Sequence, residues 1–236
     1  MKTLQSIRIV AVGDLSFNGR YAGLLRRRGP AHPFRHVLPA WRDADLRLGN
    51  LESPATAAPR SCLTKLALRA APGAADSLRA AGFDCVTLAN NHMMDYGPQG
   101  LRDTRAVLDA VGIAHVGAGP DAAAAAAPVV LTCRGQTVGV LAFCDVRQSS
   151  PLYAGPRSAG VAPFIVGDAV RAIRTLRPSV DWLVVQVHWG VEMSRLPGPR
   201  QREWAGRMAE AGADLILGHH PHVVQPAETV AGAAVF

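Results

Sequence analysis

Three histidines fall within four residues, His219-His220-Pro221-His222, directly after the apolar run 215–217 and Gly218. Packing has little use for so many imidazoles at one strand end, whereas metal binding and acid–base catalysis do. Other ligand-type residues sit in matching settings. Asp14 follows IRIVAV (7–12) and Gly13, and Asn50 and Glu52 follow the run that starts at Leu46. Asn91 and His92 follow CVTLA (85–89), and His188 follows WLVVQV (182–187). Taken singly, Asp14 reads as a cap, Asn91 as a turn residue and His188 as a core histidine. Taken together they sit at five strand ends, and an open α/β sheet collects its ligands beyond the carboxyl ends of its strands. The spacing therefore argues for one site.

The chemistry of that set is mixed oxygen and nitrogen with no thiolate. Such donors suit Mn, Fe, Co or Zn, where an all-oxygen set would suit Mg or Ca. The expected metal ligands are Asp14, Glu52, Asn91, His188, His220 and His222, with Glu52 able to bridge two cations. His220 and His222, at i and i+2 of an extended segment, would point the same way. Two divalent ions about 3.5–4 Å apart would clamp a phosphoryl-type group and lower the pKa of a shared water. Asp14 and His92 are the candidate catalytic residues. Glu192 and Asn50 are candidate substrate contacts, with Glu192 equally readable as a solvated loop carboxylate. His32 and His36 flank Pro33 in an early loop and His115 ends a small strand, so these three read as surface or structural residues.

These residues need a frame of alternating strands and helices, and the chain supplies one. Apolar runs predict strands at 7–12, 46–48, 85–89, 182–187 and 215–217, and a hairpin over 129–132 and 137–143. Helical spacing predicts helices over 73–81, 98–110 and 199–211, each followed by a glycine stop at Gly82, Gly112 and Gly212. The stretch to about Ala40 is helical or irregular, and the alanine run at 122–127 reads as a helix turn or a tolerant linker. Four of the strands open on an aspartate: Asp45, Asp84, Asp181 and Asp214. Residues 147–167, rich in Pro, Ser and Gly, read as a long loop over the site. The class is α/β, and residues 1–236 read as a single domain because no linker interrupts them.

With 49% hydrophobic residues, the 236-residue chain can bury a sizeable core. No apolar run is long enough to span a membrane, and residues 1–8 lack the apolar stretch of a secretory signal, so the expected location is cytoplasmic. The cysteines Cys62, Cys85, Cys133 and Cys144 lack paired spacing and read as reduced core residues. A formal charge of +7 favours an anionic small-molecule, peptide or polymer substrate. Without aromatic interleaving, that charge does not argue for nucleic acid.

The motifs together resemble the CapA-like proteins of poly-gamma-glutamate capsule biosynthesis, a branch of the calcineurin-like metallophosphatase superfamily. The matching segments are VGDLSFNG (12–19), NLESP (50–54), LANNHMMDYGPQGLRDT (88–104), VGAG (116–119), VHWGVEM (187–193) and GADLILGHHPHVVQPAE (212–228). The resemblance implies a four-layer α/β/β/α sandwich with a dimetal centre at its edge. It assigns Asp14 to one metal, Glu52 to the bridge, Asn91, His188, His220 and His222 to the ligand set, and His92 to acid or phosphate contact. Two departures stand out. Many relatives carry Asp-x-His at the first motif, where this chain has Asp14-Leu15-Ser16, so one metal loses a nitrogen ligand. Family members also continue with a Ser-Leu-Gly-Asn-Phe segment, so a chain ending at Phe236 reads as a short member or a fragment. The activity implied first is phosphoester hydrolysis by a metal-bound hydroxide with His92 assisting. The alternative is a component of capsule polymer synthesis whose metal site is structural or serves amide chemistry.

Overall fold

The computed structural model describes residues 6–61, 66–146 and 152–236. The chain first builds a parallel sheet. It runs through β1 (Ile9–Leu15), α1 (Tyr21–Arg28), β2 (Leu46–Leu51), α2 (Ala74–Ala80), β3 (Cys85–Thr87), α3 (Gly97–Ala110) and β4 (Ala114–Val116), with the strands in the order β1-β2-β3-β4. After β5 (Ala118–Gly119) and the short α4 (Ala122–Ala126), the chain builds a second sheet. Its elements are β6 (Val129–Cys133), β7 (Gln136–Cys144), β8 (Gly160–Val161), α5 (Val166–Leu176), β9 (Trp182–His188), α6 (Pro199–Ala211), β10 (Leu215–His219), β11 (Glu228–Val230) and β12 (Ala233–Val235). The order is β11-β12-β10-β9-β7-β6, parallel from β12 to β7 and antiparallel at both edges. β5 and β8 form a small antiparallel pair of their own.

The strand-opening aspartates explain how both parallel sheets hold register. The Asp45 carboxylate accepts the Arg8 N–H at 2.7 Å, and Asp84 accepts that of Arg47 at 2.7 Å. In the second sheet Asp181 accepts the Thr137 N–H at 2.8 Å and Asp214 that of Leu183 at 2.7 Å. In every case the aspartate also returns its own N–H to the carbonyl of the same neighbour. Each carboxylate thus ties the amino end of its strand to the strand beside it and satisfies a backbone donor that has no ladder partner.

Period-two alternation then divides the side chains of the second sheet between two cores. Val184 and Leu217 face the first sheet and share a core with Leu48, Val86 and Val140, which also takes in Leu78 of α2 and Leu101 and Leu108 of α3. Leu183, Val185 and Ile216 face the other way, onto Ile173 of α5 and Ala205 and Met208 of α6. The layers are therefore α/β/β/α, as the resemblance implies. Because His188 and His219 continue the face of Val184 and Leu217, their rings emerge between the two sheets.

The helix stops behave as read: Gly82, Gly112 and Gly212 all take positive φ, at 77°, 73° and 116°. The alanine run is a short helix whose N-cap is Asp121, its carboxylate accepting the Ala124 N–H at 2.8 Å. Cys85, Cys133 and Cys144 are buried free thiols; Cys62 lies outside the described residues. Burial pushes the Cys85 thiol up to about 12, so it stays protonated and inert. Among the described residues no helix is long and apolar enough to cross a membrane.

The loop expected over 147–167 needs correction. Residues 147–151 lie outside the described residues, and the segment from Leu152 to Phe164 is tied down. Val161 pairs with Ala118, Ala162 N–H donates to Gly117 O, and Phe164 N–H donates to Cys144 O. Leu152, Val161 and Phe164 are buried, and Val166 already opens α5. Its Pro and Gly content marks turns in a packed segment. The loop that does reach the site is 190–198, where Met193 N–H donates to Pro221 O at 2.8 Å.

Candidate metal centre

The carboxyl ends of β1, β2, β3, β9 and β10 meet in one place. Asp14 lies near the end of β1, where three residues, Val12 to Asp14, advance against two on β2, an irregularity of register between Ala11 and Asp14. Its Oδ1 accepts a hydrogen bond from Asn50 Nδ2 at 2.7 Å, and its Oδ2 accepts the His220 N–H at 3.1 Å. His222 Nδ1 stands 2.9 Å from the same Oδ2. Glu52, buried just past β2, has Oε1 3.7 Å from His188 Nε2 and 3.9 Å from His222 Nε2. His188 closes β9, with Nε2 2.8 Å from Asn91 Oδ1 and Nδ1 3.2 Å from Asn50 Nδ2.

Asp14, Glu52, Asn91, His188, His220 and His222 are thus all within one cluster, and Glu52, His220 and His222 each bring a ligand-type atom within 4.8 Å of the other two. The ring centroids of His188 and His220 lie 4.8 Å apart, and those of His220 and His222 5.6 Å apart. How the last pair converges differs from the expected extended segment. β10 ends at His219, and His220 and His222 adopt left-handed φ values of 95° and 57° around Pro221. Such conformations cost on the order of 1–3 kcal/mol each and persist where the surroundings over-determine them.

Burial is the largest influence on the imidazoles. It holds His188 well below the ordinary histidine range, with neighbouring His220, His219 and His222 adding to the effect. It lowers His220 as well, partly offset by Glu192, and lowers His219. Neutral rings at neutral pH present lone pairs, the form in which imidazole binds a metal.

The two candidate substrate contacts sit in different settings. Asn50 is wholly buried and bonded to Asp14, to His188 and, through Oδ1, to Asn90 Nδ2 at 3.0 Å. Glu192 is half exposed at the mouth, Oε1 4.0 Å from His220 Nε2. His32 and His36 lie outside the cluster, and His115 sits within β4 with Nε2 3.0 Å from Asp109.

Sequence reasoning gave no role to Asn90, Asp95 or Gln186 and counted His219 only within its histidine cluster. Asn90 bridges Asn50 and the Leu51 carbonyl, and its Oδ1 accepts the His92 N–H at 3.1 Å. Asp95, fully buried, has Oδ2 2.8 Å from His92 Nδ1. His219 has Nε2 3.0 Å from Gln186 Oε1. A carboxylate three residues after a candidate histidine, and an amide two residues before His188 on the same strand face, are the signals that point to Asp95 and Gln186.

The family description "Bacterial capsule synthesis protein PGA_cap" matches residues 8–236. The chain belongs to this family. The PGA biosynthesis protein CapA of Bacillus subtilis is 34% identical over 95% of this chain and 60% of its own length. The capsule biosynthesis protein CapA of Bacillus anthracis is 30% identical over 98% of this chain and 58% of its own. The chain therefore spans about three fifths of the length of these relatives. Among solved structures, a phosphatase from Mycoplasma pneumoniae superposes with a TM-score of 0.56 at 16% identity, over 99% of this chain and 71% of that one. The fold is metallophosphatase-like.

Proposed function

We propose that the chain is a metal-dependent hydrolase that cleaves phosphoesters at a dinuclear centre. The observation that carries this reading is the meeting of two carboxylates, Asp14 and Glu52, with His188, His220 and His222 at separations of 2.9–3.9 Å or within one triad. Burial keeps His188 and His220 in the lone-pair form that binds a cation, beside the carboxylates of Asp14 and Glu52. The donor chemistry fits Mn, Fe, Zn or Co. In this reading Asp14, Glu52, Asn91, His188, His220 and His222 hold the ions. The chemistry such ions would supply is polarisation of a phosphoryl oxygen and acidification of a water.

The remaining roles belong to the chain's own groups. The Asp95 carboxylate accepts the Nδ1 proton of His92 and supports the imidazolium, from which the other ring nitrogen would pass its proton to a leaving oxygen. Asn50 and Asn90 hold Asp14, His188 and the His92 backbone in place, so Asn50 positions the site and does not touch substrate. Glu192 stands at the entrance, where it discriminates among substrates by charge. Purified protein supplied with Mn(II) is expected to hydrolyse phosphomono- or phosphodiesters. Two bound ions with no turnover of either ester would end this reading.

The relatives' names as capsule and PGA biosynthesis proteins favour a second reading, in which the same site serves synthesis of the capsule polymer, acting on an amide or holding structure. Poly-gamma-glutamate offered as substrate separates the two: cleavage or transfer of the polymer with inert phosphoesters supports the second.

A further inference from the structure

His219 is the imidazole of the His219-His220-Pro221-His222 cluster that the proposed ligand set does not use. It closes β10 in register with His188 at the end of β9, so both rings leave the same face of the sheet. The ring is 4% exposed. Its Nε2 lies 3.0 Å from Gln186 Oε1, so that nitrogen carries the proton and Nδ1 presents a lone pair. Nδ1 has no hydrogen-bond partner among the described residues and stands 3.7 Å from Asp14 Oδ1. Turning the Gln186 amide over would move the proton to Nδ1, yet 3.7 Å is too long for a hydrogen bond, so the nitrogen stays unmet either way.

That separation has a natural occupant. Metal–ligand bonds of ~2.0–2.2 Å place neighbouring donors on one ion roughly 3–3.6 Å apart, close to the observed gap. The first motif, Asp14-Leu15-Ser16, lacks the imidazole that Asp-x-His would bring to the ion at Asp14, and Ser16 is exposed. We propose that His219 Nδ1 is a further metal ligand, giving the ion at Asp14 the nitrogen that Ser16 does not supply, with Gln186 gripping the opposite side of the ring. Hydrogen bonds of this second kind orient a ligating imidazole and raise its basicity. The inference rests on the proposed reading that the site binds divalent ions.

Calorimetric titration of the metal-free chain with Zn(II) tests it. Wild type is expected to bind two ions, and His219→Gln to bind one unchanged and the other at least ~10-fold more weakly. Equal affinities in the two proteins would overturn the role of His219 and leave the metal centre standing. A wild-type chain that binds no ion would overturn both. Should the variant fail to fold, ring nitrogen-15 spectra of the unmutated protein decide. The His219 Nδ1 resonance moves on adding Zn(II) if the nitrogen is a ligand, and an unmoved resonance rejects the proposal.

Discussion

The two ends of the same strands are built on opposite plans. At the amino ends, Asp45, Asp84, Asp181 and Asp214 each meet a backbone N–H at 2.7–2.8 Å and hold one strand to the next. At the carboxyl ends, Asp14 and Glu52 meet three imidazoles, an arrangement of acceptors and lone pairs with ring centroids as close as 4.8 Å. Carboxylates at one end bind backbone donors of the neighbouring strand, and those at the other face imidazoles, the setting that the proposed reading assigns to a cation. An aspartate beside a strand therefore means architecture or chemistry according to which end it occupies.

The contrast breaks most visibly at the carboxyl ends. Glu52→Ala or His220→Ala is expected to remove at least one bound ion per chain by elemental analysis and to abolish any phosphoester turnover. Full metal content in both variants would erase the distinction between the ends. His92→Ala should keep its metal but lose ~10²–10⁴-fold in turnover, the usual weight of a general acid. An effect on metal content in that variant would move His92 into the ligand set.

Acidification sharpens the contrast by a smaller amount. The unfolded imidazole titrates near 6.5, whereas burial holds His188, His219 and His220 lower in the folded protein. The unfolded chain then takes up protons first as pH falls. This contribution to stability is complete above pH 6.5 and is lost as pH drops through the folded values. The urea midpoint of the metal-free protein should accordingly fall between pH 7.5 and 5.5, and a flat profile would count against buried neutral histidines. The smallest effect belongs to the amino ends. Asp84→Ala leaves the Arg47 N–H unmatched and is expected to lower stability by about 1.5–3 kcal/mol in chemical denaturation while metal content stays that of wild type.

Much of this was legible in the sequence because each strand carries its two ends in its own residues. The aspartate that opens β2, β3, β9 and β10 and the ligand that closes each are a few positions apart, and α6 matches its expected span of 199–211 throughout. Where the pattern depended on partners elsewhere, reading failed. α5 hides behind a Pro- and Gly-rich segment, although Ala169, Ile173 and Leu176 repeat at helical spacing. β5 and β8 are two residues long and exist only through pairing, which no local periodicity records. Within the site, His219 and Gln186 meet across neighbouring strands, 33 positions apart. Asn90 and Asp95 were visible as residues but not as supports, since their work is to hold other groups. The left-handed turn at His220 and His222 had no signal in a segment without glycine.

The Asp14–His220 contact spans 206 positions, and this has a consequence for the making of the protein. A ribosome adding ~5–20 residues per second needs roughly 10–40 s to travel from the first ligand to the last. For most of that interval the final histidines do not yet exist, so Asp14 and Glu52 lack the imidazoles they meet in the finished fold. On the proposed reading, an ion captured before the histidines emerge would be held without them and exchange freely. On the proposed reading the final histidines complete the ligand set, so metal choice would be a late event in the life of the nascent chain.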